Sequence, residues 1–401
     1  MMTTAANPPV PRVFLKPGQD RRLARGCPWA FSNELRMDAD AKAIASGSLV
    51  TLHRVDGKTY GIGTFNPHAL IAFRLLADEG EAPMDGGFFE RRFHRALALR
   101  DRLFGRPFYR MVHAEADGVA GLVVDRYGDA VVVQANTAGM EALLPAVLDG
   151  LARVLAPRLV VLRGDSGARR LEGLEREVRI AVGTVDAPVT VEENGLVYFA
   201  DLLAGQKTGW FYDQRRSRAF VASLATGTRI LDVFCHSGGF AIAALGAGAE
   251  HAVAIDSSEA ALALAGRSAA ANGVVGKLTV RRGEAYGELE RLAAAGDRFG
   301  VVVCDPPAFV KSRKDMASGL KGYRKLARLG AALVEPGGFL FIASCSHNVD
   351  RTAFALEVGR GIDAAGRRER ILREAGAAAD HPVHPQLPES AYLKSLVVQL
   401  D

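Results

Sequence analysis

In the second half of the chain, short apolar runs alternate with longer small-residue stretches. RILDVF, HAVAID, KLTVRR, FGVVVCD and GFLFIAS are separated by segments such as SSEAALALAGRSAAANG and the run from Gly322 to Val334. The short runs suit buried strands and the spacers suit helices. From about residue 200 this pattern predicts an α/β arrangement with a parallel, doubly wound sheet covered on both faces. Ligands in such sheets lie beyond the carboxyl ends of the strands, so the last residue of each strand is where chemistry is expected.

The first half has a different pattern. In SLVTLHRVDGKTYGIGTF, Asp56-Gly57 separates two runs of β-formers and predicts a hairpin with positive φ at both turn residues. GLVVDRYGDAVVVQAN predicts a second hairpin at Gly128-Asp129, and VTVEENGLVYFADL a third at Asn194-Gly195. Met140, Leu143, Leu144, Val147, Leu148, Leu151, Val154 and Leu155 recur at helical steps and predict one amphipathic helix. RLVVLRG reads as a strand, and the Gly/Pro/Asp-rich stretch 77–87 as a linker. The expected division is 1–80, a β-rich module; 81–199, a small α+β domain; and 200–401, the doubly wound domain. No repeat of solenoid period is evident.

Composition adds bounds. The 401 residues, 49% hydrophobic and 24% charged, suit two or three globular domains. No apolar run approaches the roughly 20 residues of a membrane-spanning helix, and MMTTAANPPVPRVF has no signal-peptide pattern. Cysteines 27, 235, 304 and 345 show neither CxxC nor zinc spacing, so they read as free thiols in a cytoplasmic protein with no metal. The net charge of +5 permits a nucleic-acid partner without requiring one. Basic clusters at GQDRRLARG, ERRFHRALALRDRLFGRPFYR, DQRRSR and KSRKDMASGLKGYRKLAR each suit a solvated helix face, but their recurrence keeps a polyanion in view.

The strand ends carry the candidate chemistry. In LDVFCHSGGF, Gly238 and Gly239 allow close backbone approach before a helix starting near Phe240. Asp256 ends the next strand, eighteen residues after Gly238, a separation suited to accepting ribose hydroxyls. The turn lacks G-x-G-x-x-G and so disfavours a pyrophosphate-bearing dinucleotide. Asp232, ending the first strand, is suited to a cation, which favours an adenosine-containing methyl donor. In CDPPAFVKSRKDM the paired prolines stop the fourth strand, leaving the carbonyls of Asp305 and Pro306 free to meet an amino-bearing base edge.

The fifth strand runs into Ser344-Cys345-Ser346-His347. In a doubly wound sheet Asp305 and Cys345 emerge side by side. A lone cysteine in an apolar strand is ordinarily core, but a position just beyond the strand with polar flanks favours an exposed, reactive thiol. Cys304, inside its strand, and Cys235 suit the inert reading. A Cys345–His347 protease dyad is disfavoured because residues two apart on an extended segment are not held as a hydrogen-bonded pair. His347 is instead expected at the mouth of the site.

With these motifs in order, the chain resembles the RlmI-type, PUA-domain-containing class I S-adenosylmethionine-dependent RNA cytosine-5 methyltransferases of bacteria. VFLKPGQDRRLARGCPWAFSNEL and GIGTFNPHALIAFRLL are similar to the PUA module. GLVVDRYGD and LEGLE are similar to the central domain. GQKTGWFYDQR, LDVFCHSGGF, CDPPAFVKSR, SCSH and DHP…YLKS are similar to the catalytic domain. The resemblance implies a Rossmann-like class I methyltransferase domain with a seven-stranded sheet, behind a PUA-like β-barrel and the α+β domain. It implies S-adenosyl-L-methionine near Asp232, Phe234, Ser237, Gly238, Gly239, Asp256, Ser257, Glu284, Ala285 and Asp305. It also implies an rRNA substrate, in the large subunit, with a single-stranded or locally unpaired cytosine met by Pro306, Pro307, Phe309, Lys311, Arg313, Lys207 and Arg215, with Lys314 a further phosphate contact. In the implied mechanism Cys345 attacks carbon 6 of the cytosine and Asp305 binds its edge. A homodimer is among the assemblies such relatives form. Many RNA cytosine-5 methyltransferases carry a second cysteine directly after Asp-Pro-Pro, where this chain has Ala308, as RlmI-type enzymes do; the elimination base is thus left unassigned.

Three rivals remain in the sequence. A related rRNA guanine methyltransferase shares a similar DPP-x-F motif but lacks the cysteine of SCS, and an RNA-binding assembly factor would not need Asp256, Asp305 and Cys345 together. A nicotinamide-dependent dehydrogenase lacks its pyrophosphate loop here.

Overall fold

The computed structural model describes residues 10–78, 81 and 83–401. They form two compact units: the chain up to Asp186 with Pro382–Pro388, and Ala187–His381 with Glu389–Asp401.

The first unit contains two five-stranded sheets. In one, strands Arg12–Phe14, Trp29–Phe31, Ser48–His53, Thr59–Phe65 and Ile71–Ala77 enclose a core of Val13, Leu15, Leu35, Val50, Leu52, Phe65 and Phe73. The hairpin at Asp56-Gly57 forms, but only Gly57 has positive φ (83°). The Gly57 N–H donates to the Arg54 carbonyl, and the Arg54 N–H to that of Lys58. The loop is therefore longer than a two-residue turn, and Asp56 stays in ordinary φ space.

The other sheet runs Val178–Val182, Leu159–Arg163, Ala130–Ala135, Leu122–Tyr127 and Phe108–His113 in spatial order. Helices Gly86–Leu103 and Leu144–Leu155 pack beside it, burying Phe88, Phe89, Phe93, Val147 and Leu151. The helix predicted over 140–155 is divided in two, Ala138–Ala142 and Leu144–Leu155, with Pro145 in the first turn of the second. Of the linker expected at 77–87, residues 79, 80 and 82 lie outside the described residues. Its last residues open a helix, because the Asp85 side chain caps Gly86–Leu103 by accepting from the Phe88 N–H (3.0 Å). The basic cluster on that helix is not all solvated: Arg100 is fully buried and bidentate to Asp117 at 2.6 and 2.8 Å.

The second unit is the doubly wound α/β domain. Its seven-stranded sheet has the spatial order Leu278–Arg282, His251–Asp256, Arg229–Val233, Phe299–Cys304, Val334–Ser344, Lys394–Leu400, Glu369–Ala375. Only Lys394–Leu400 runs against the rest. The pleat divides the apolar residues between two layers. Leu231, Val233, Val302, Cys304, Leu340 and Ile342 face helices Ala285–Ala294, Met316–Leu333 and Arg351–Ala364. Ile230, Val301, Val303, Phe341 and Ala343 face Arg215–Leu224, Gly239–Gly246 and Glu259–Ala271.

The third hairpin, Val189–Glu193 with Leu196–Ala200, turns at Asn194 (φ 52°) and Gly195 (φ 80°) and belongs to this unit. Its Val197 and Phe199 N–H groups donate to Asn272 Oδ1 and Ser268 Oγ, each at 3.1 Å. The strand order reverses between Arg229–Val233 and Phe299–Cys304, and a crevice opens at the carboxyl ends there, as this topology requires.

Candidate active site

A cavity of about 440 Å³ lies at that switch point, within the range of roughly 300–1,000 Å³ usual for small-molecule sites. Each side of it comes from a different strand end.

After Arg229–Val233 the backbone turns sharply, with Phe234 (φ 62°), His236 (φ 49°) and Gly238 (φ 78°) all left-handed. Two non-glycine residues in that region within one turn mark stored backbone strain, which the surroundings must hold. They do so by hydrogen bonds: the His236 N–H donates to Asp256 Oδ2 (2.9 Å) and the Cys235 N–H to the Ile255 carbonyl (3.0 Å). Phe234, Ser237 and Gly239 line the cavity. Gly238 serves beneath it, where a Cβ would meet Ala265 at 2.9 Å.

Asp232 also lies under the floor, 1% exposed and outside the lining. Its Oδ2 accepts from the Ala241 N–H in the first turn of the helix (2.9 Å), while Oδ1 has no hydrogen-bond partner among the described residues. Burial, reinforced by Asp305 and Asp256, pushes this carboxyl up to about 7. It acts on the site through the turn it supports.

Asp256 and Ser257 line the cavity from the second strand. Both Asp256 oxygens accept backbone N–H groups, from His236 and from Ser258 (2.9 Å each), and each oxygen keeps a second lone pair. Glu284 and Ala285, at the start of helix Ala285–Ala294, face it from the third.

The fourth and fifth strands are paired neighbours in register, Cys304 opposite Ile342, so Asp305 and Cys345 emerge side by side as the topology predicts. Both line the cavity, with Pro306, Pro307 and Ala308. Burial and Asp213 push the Asp305 carboxyl up to about 6, with Lys207 working against them. Burial likewise raises the Cys345 thiol above its ordinary value, and Lys207 is the largest influence opposing it. The flanking serines point inward: Ser344 Oγ donates to Tyr323 Oη (2.8 Å), which is shared with Ser346 Oγ (2.9 Å). Lys394 Nζ donates to the Ser346 carbonyl at 2.7 Å. This buried network fixes both residues beside the half-buried Cys345. Cys304 is fully buried, Cys235 is 6% exposed at the cavity edge, and His347 is exposed and outside the lining.

The remaining wall is the segment 206–214. Lys207 (φ 51°) places Nζ 4.3 Å from the Phe211 ring centre and 3.7 Å from Asp213 Oδ2. Gln214 Nε2 donates to Asp305 Oδ2 at 2.9 Å. GQKTGWFYDQR marks this segment in the sequence, but no motif marks Trp210, Phe211, Asp213, Gln214, His236 or Arg218 individually, and all of them line the cavity. Their signal was the density of polar and aromatic residues just before a helix.

Five expected contact residues lie elsewhere. Arg215 pairs with buried Glu193 (3.6 Å), Phe309 stacks near Tyr323 (ring centres 4.8 Å apart), and Lys311, Arg313 and Lys314 are exposed in the segment after Asp-Pro-Pro. None of the five lines the cavity.

Comparison with known proteins defines the class. Residues 179–397 match the family model of S-adenosylmethionine-dependent methyltransferases, and residues 13–78 match that of PUA-like domains. The fold is shared with a crystal structure of SMU.776 complexed with SAH: TM-score 0.83, 19% identity, 97% of this chain and 100% of that one covered. The protein is therefore an S-adenosylmethionine-dependent methyltransferase. A ribosomal RNA large subunit methyltransferase I from Aeromonas hydrophila is 35% identical over 96% of this chain and 98% of that relative. Proteins of the same name from Shewanella denitrificans (33%; 97% and 99%) and Klebsiella pneumoniae (32%; 97% and 98%) match as fully. The chain belongs to the ribosomal RNA large subunit methyltransferase I family.

The residues present fit the methyl donor. Its ammonium and sulfonium are cations, and the cavity offers Asp256, Glu284 and Asp305 above buried Asp232. A phosphate-bearing cofactor would meet those same carboxylates as repulsion.

Proposed function

We propose that the protein methylates carbon 5 of an unpaired cytosine in large-subunit ribosomal RNA through a covalent adduct on Cys345. The observation that carries this reading is the emergence of Cys345 and Asp305 from adjacent strands into one cavity that also contains Lys207. The names of the relatives support the RNA, and the PUA-like domain supports an RNA partner.

In this reading S-adenosylmethionine supplies an electrophilic methyl group. Asp256, Ser257, Glu284, Ala285, Phe234, Ser237 and Gly239 hold it, with Asp232 and Gly238 supporting the turn. Cys345 reaches the attacking thiolate form with help from Lys207, whose charge offsets the burial that favours the thiol. The thiolate adds to carbon 6. Asp305, poised near neutrality and positioned by Gln214, protonates ring nitrogen 3 and stabilises the adduct. The Asp305 and Pro306 carbonyls are suited to the amino edge. Because the reacting base has to enter a cavity, the cytosine leaves any stack first.

Exposed Lys311, Arg313 and Lys314 contact phosphates and set register. The two separate sheets of the first unit support a module boundary near residue 80. The boundary expected at 199/200 moves to about residue 187, because the hairpin 189–200 belongs to the second compact unit. We place the enzyme in the cytoplasm, where its four unpaired cysteines stay reduced.

The test is incubation of wild type and Cys345→Ala with methyl-labelled donor and undermodified ribosomal RNA. Label on cytosine, lost in the variant, is expected. Label on guanine would favour the non-covalent guanine methyltransferase alternative, and full activity of Cys345→Ala would remove the adduct.

A further inference from the structure

The covalent route leaves one proton without an acceptor. Once carbon 5 carries the methyl group it still carries its hydrogen, and Cys345 cannot depart until that hydrogen leaves. Where some RNA cytosine-5 methyltransferases place a second cysteine, this cavity has Ala308. We propose that Asp213 is the general base that removes this proton.

The inference rests on the Cys345 reading and on three observations. The first is placement. A methyl group delivered in line enters carbon 5 from the donor's side and turns the hydrogen to the far face, so its acceptor belongs to a wall other than the one holding the donor. Asp256 sits against the glycine turn, and Glu284 on the third loop. Asp213 comes from the separate segment 206–214 and lines the cavity together with Cys345, Asp305 and Ala308. Its charge is the leading electrostatic influence on Asp305, after burial, and also acts on Cys345, so it belongs to the substrate end.

The second is how the carboxylate is held. Asp213 is 4% exposed, yet Oδ2 accepts from Tyr392 Oη at 2.5 Å and faces Lys207 Nζ at 3.7 Å. Its carbonyl accepts the Ala378 N–H at 2.9 Å. The next residue, Gln214, donates to Asp305 (2.9 Å), so one short segment sets the distance between the two carboxylates. This gives YLKS and GQKTGWFYDQR, both noted in the sequence without an assigned chemical step, a shared task.

The third is elimination of competitors. Asp305 is occupied at nitrogen 3. His236 belongs to the strained turn, its ring against Ser237 Oγ (3.1 Å) and edge-on to Phe211. Lys207 is the cation of the group.

The step balances within the site. The C5–H bond breaks, its proton goes to Asp213, and its electron pair becomes the C5=C6 double bond. The C6–S bond breaks and its pair returns Cys345 as thiolate. The proton on nitrogen 3 returns to Asp305.

Asp213→Asn is expected to complete methyl transfer once and then stall. On RNA tritiated at carbon 5 of cytosine it should transfer methyl without releasing tritium. It should also accumulate a donor-dependent, detergent-resistant protein–RNA complex that wild type does not. Asp213→Glu should restore part of the tritium release. Wild-type turnover and tritium release by Asp213→Asn would overturn the proposal. So would absence of both methyl transfer and adduct in a variant that melts and binds donor as wild type does.

If Asp213→Asn fails to fold, Tyr392→Phe replaces it. Slowed tritium release with unchanged first-turnover methyl transfer supports the assignment, and unchanged release refutes it. RNA containing 5-fluorocytosine separates the two claims: no trapped complex with wild type means the Cys345 reading has failed, not the choice of base.

Discussion

Replacing Glu193 by leucine removes the anchor of the 206–214 wall. The Glu193 carboxylate is fully buried at the end of the hairpin strand and accepts Arg218 Nε (2.6 Å), Arg218 Nη2 (2.8 Å) and Trp210 Nε1 (3.1 Å). Arg218 also donates to the Phe211 carbonyl at 2.8 Å and places its guanidinium 4.5 Å from the Trp210 ring centre. With leucine at 193, the Arg218 side chain, 4% exposed, keeps its charge and loses its counter-ion. Breaking such a buried pair from one side costs roughly 3–5 kcal/mol, and the orphaned indole N–H adds about 1 kcal/mol.

At about 2–4 °C per kcal/mol for a domain of this size, the transition of the second unit should fall by roughly 10–20 °C. The chain has two tryptophans, so in a Trp29→Phe background Trp210 fluorescence reports that transition alone. Urea unfolding then gives the energy. The double variant Glu193→Leu/Arg218→Leu should recover much of the Arg218 part of the loss, because the buried guanidinium goes together with its carboxylate, while Arg215, 3.6 Å from Glu193, still loses that contact. A single-variant cost below about 1 kcal/mol, or a double-variant cost equal to the sum of the two single variants, would refute this account of the wall.

Three further outcomes follow from the same geometry. Lys207→Met removes the main influence opposing the raised Cys345 pKa, so the rising limb of the pH–rate profile should move to higher pH; a limb that stays put would release Lys207 from that role. Asp232 has its folded pKa raised from 3.8 to about 7, so between those values the folded state holds a proton that the unfolded state has lost. Its contribution to stability is present at acid pH and is lost as pH rises to about 7. Asp232→Asn should therefore gain stability relative to wild type across that window, and a constant difference would contradict it. RNA affinity should fall steeply with salt, with Lys311→Ala/Arg313→Ala/Lys314→Ala lowering the slope of log affinity against log salt; an unchanged slope would remove these residues from the phosphate path.

Much of the catalytic sheet was legible because a two-sided buried strand has a short apolar signature and a defined end. Asp256, Asp305 and Cys345 could be placed from that rule alone. Asp232 was legible as a strand end, but not as a buried support, since its neighbour Ala241 is a helical N–H that no motif marks. Of the wall 206–214 the resemblance marked Lys207, whereas Asp213 and Gln214, and Arg218 just beyond them, were hidden because they act through contacts distant in sequence: Gln214 with Asp305, Asp213 with Tyr392, Arg218 with Glu193. Helical periodicity gave one helix over 140–155 because Leu143 keeps the apolar stripe intact across the break before Pro145. In the hairpin after His53, Asp56 suggested a two-residue turn, whereas Gly57 alone takes the left-handed conformation.

The central claim is the bond between Cys345 and the base. The direct measurement is peptide mapping by mass spectrometry of wild-type enzyme trapped, in the presence of S-adenosylmethionine, on ribosomal RNA containing 5-fluorocytosine. The account predicts a methylated fluorocytosine nucleotide attached to the peptide bearing Cys345. Attachment at Cys235 or Cys304, or no attachment while ordinary RNA is still methylated, would contradict it.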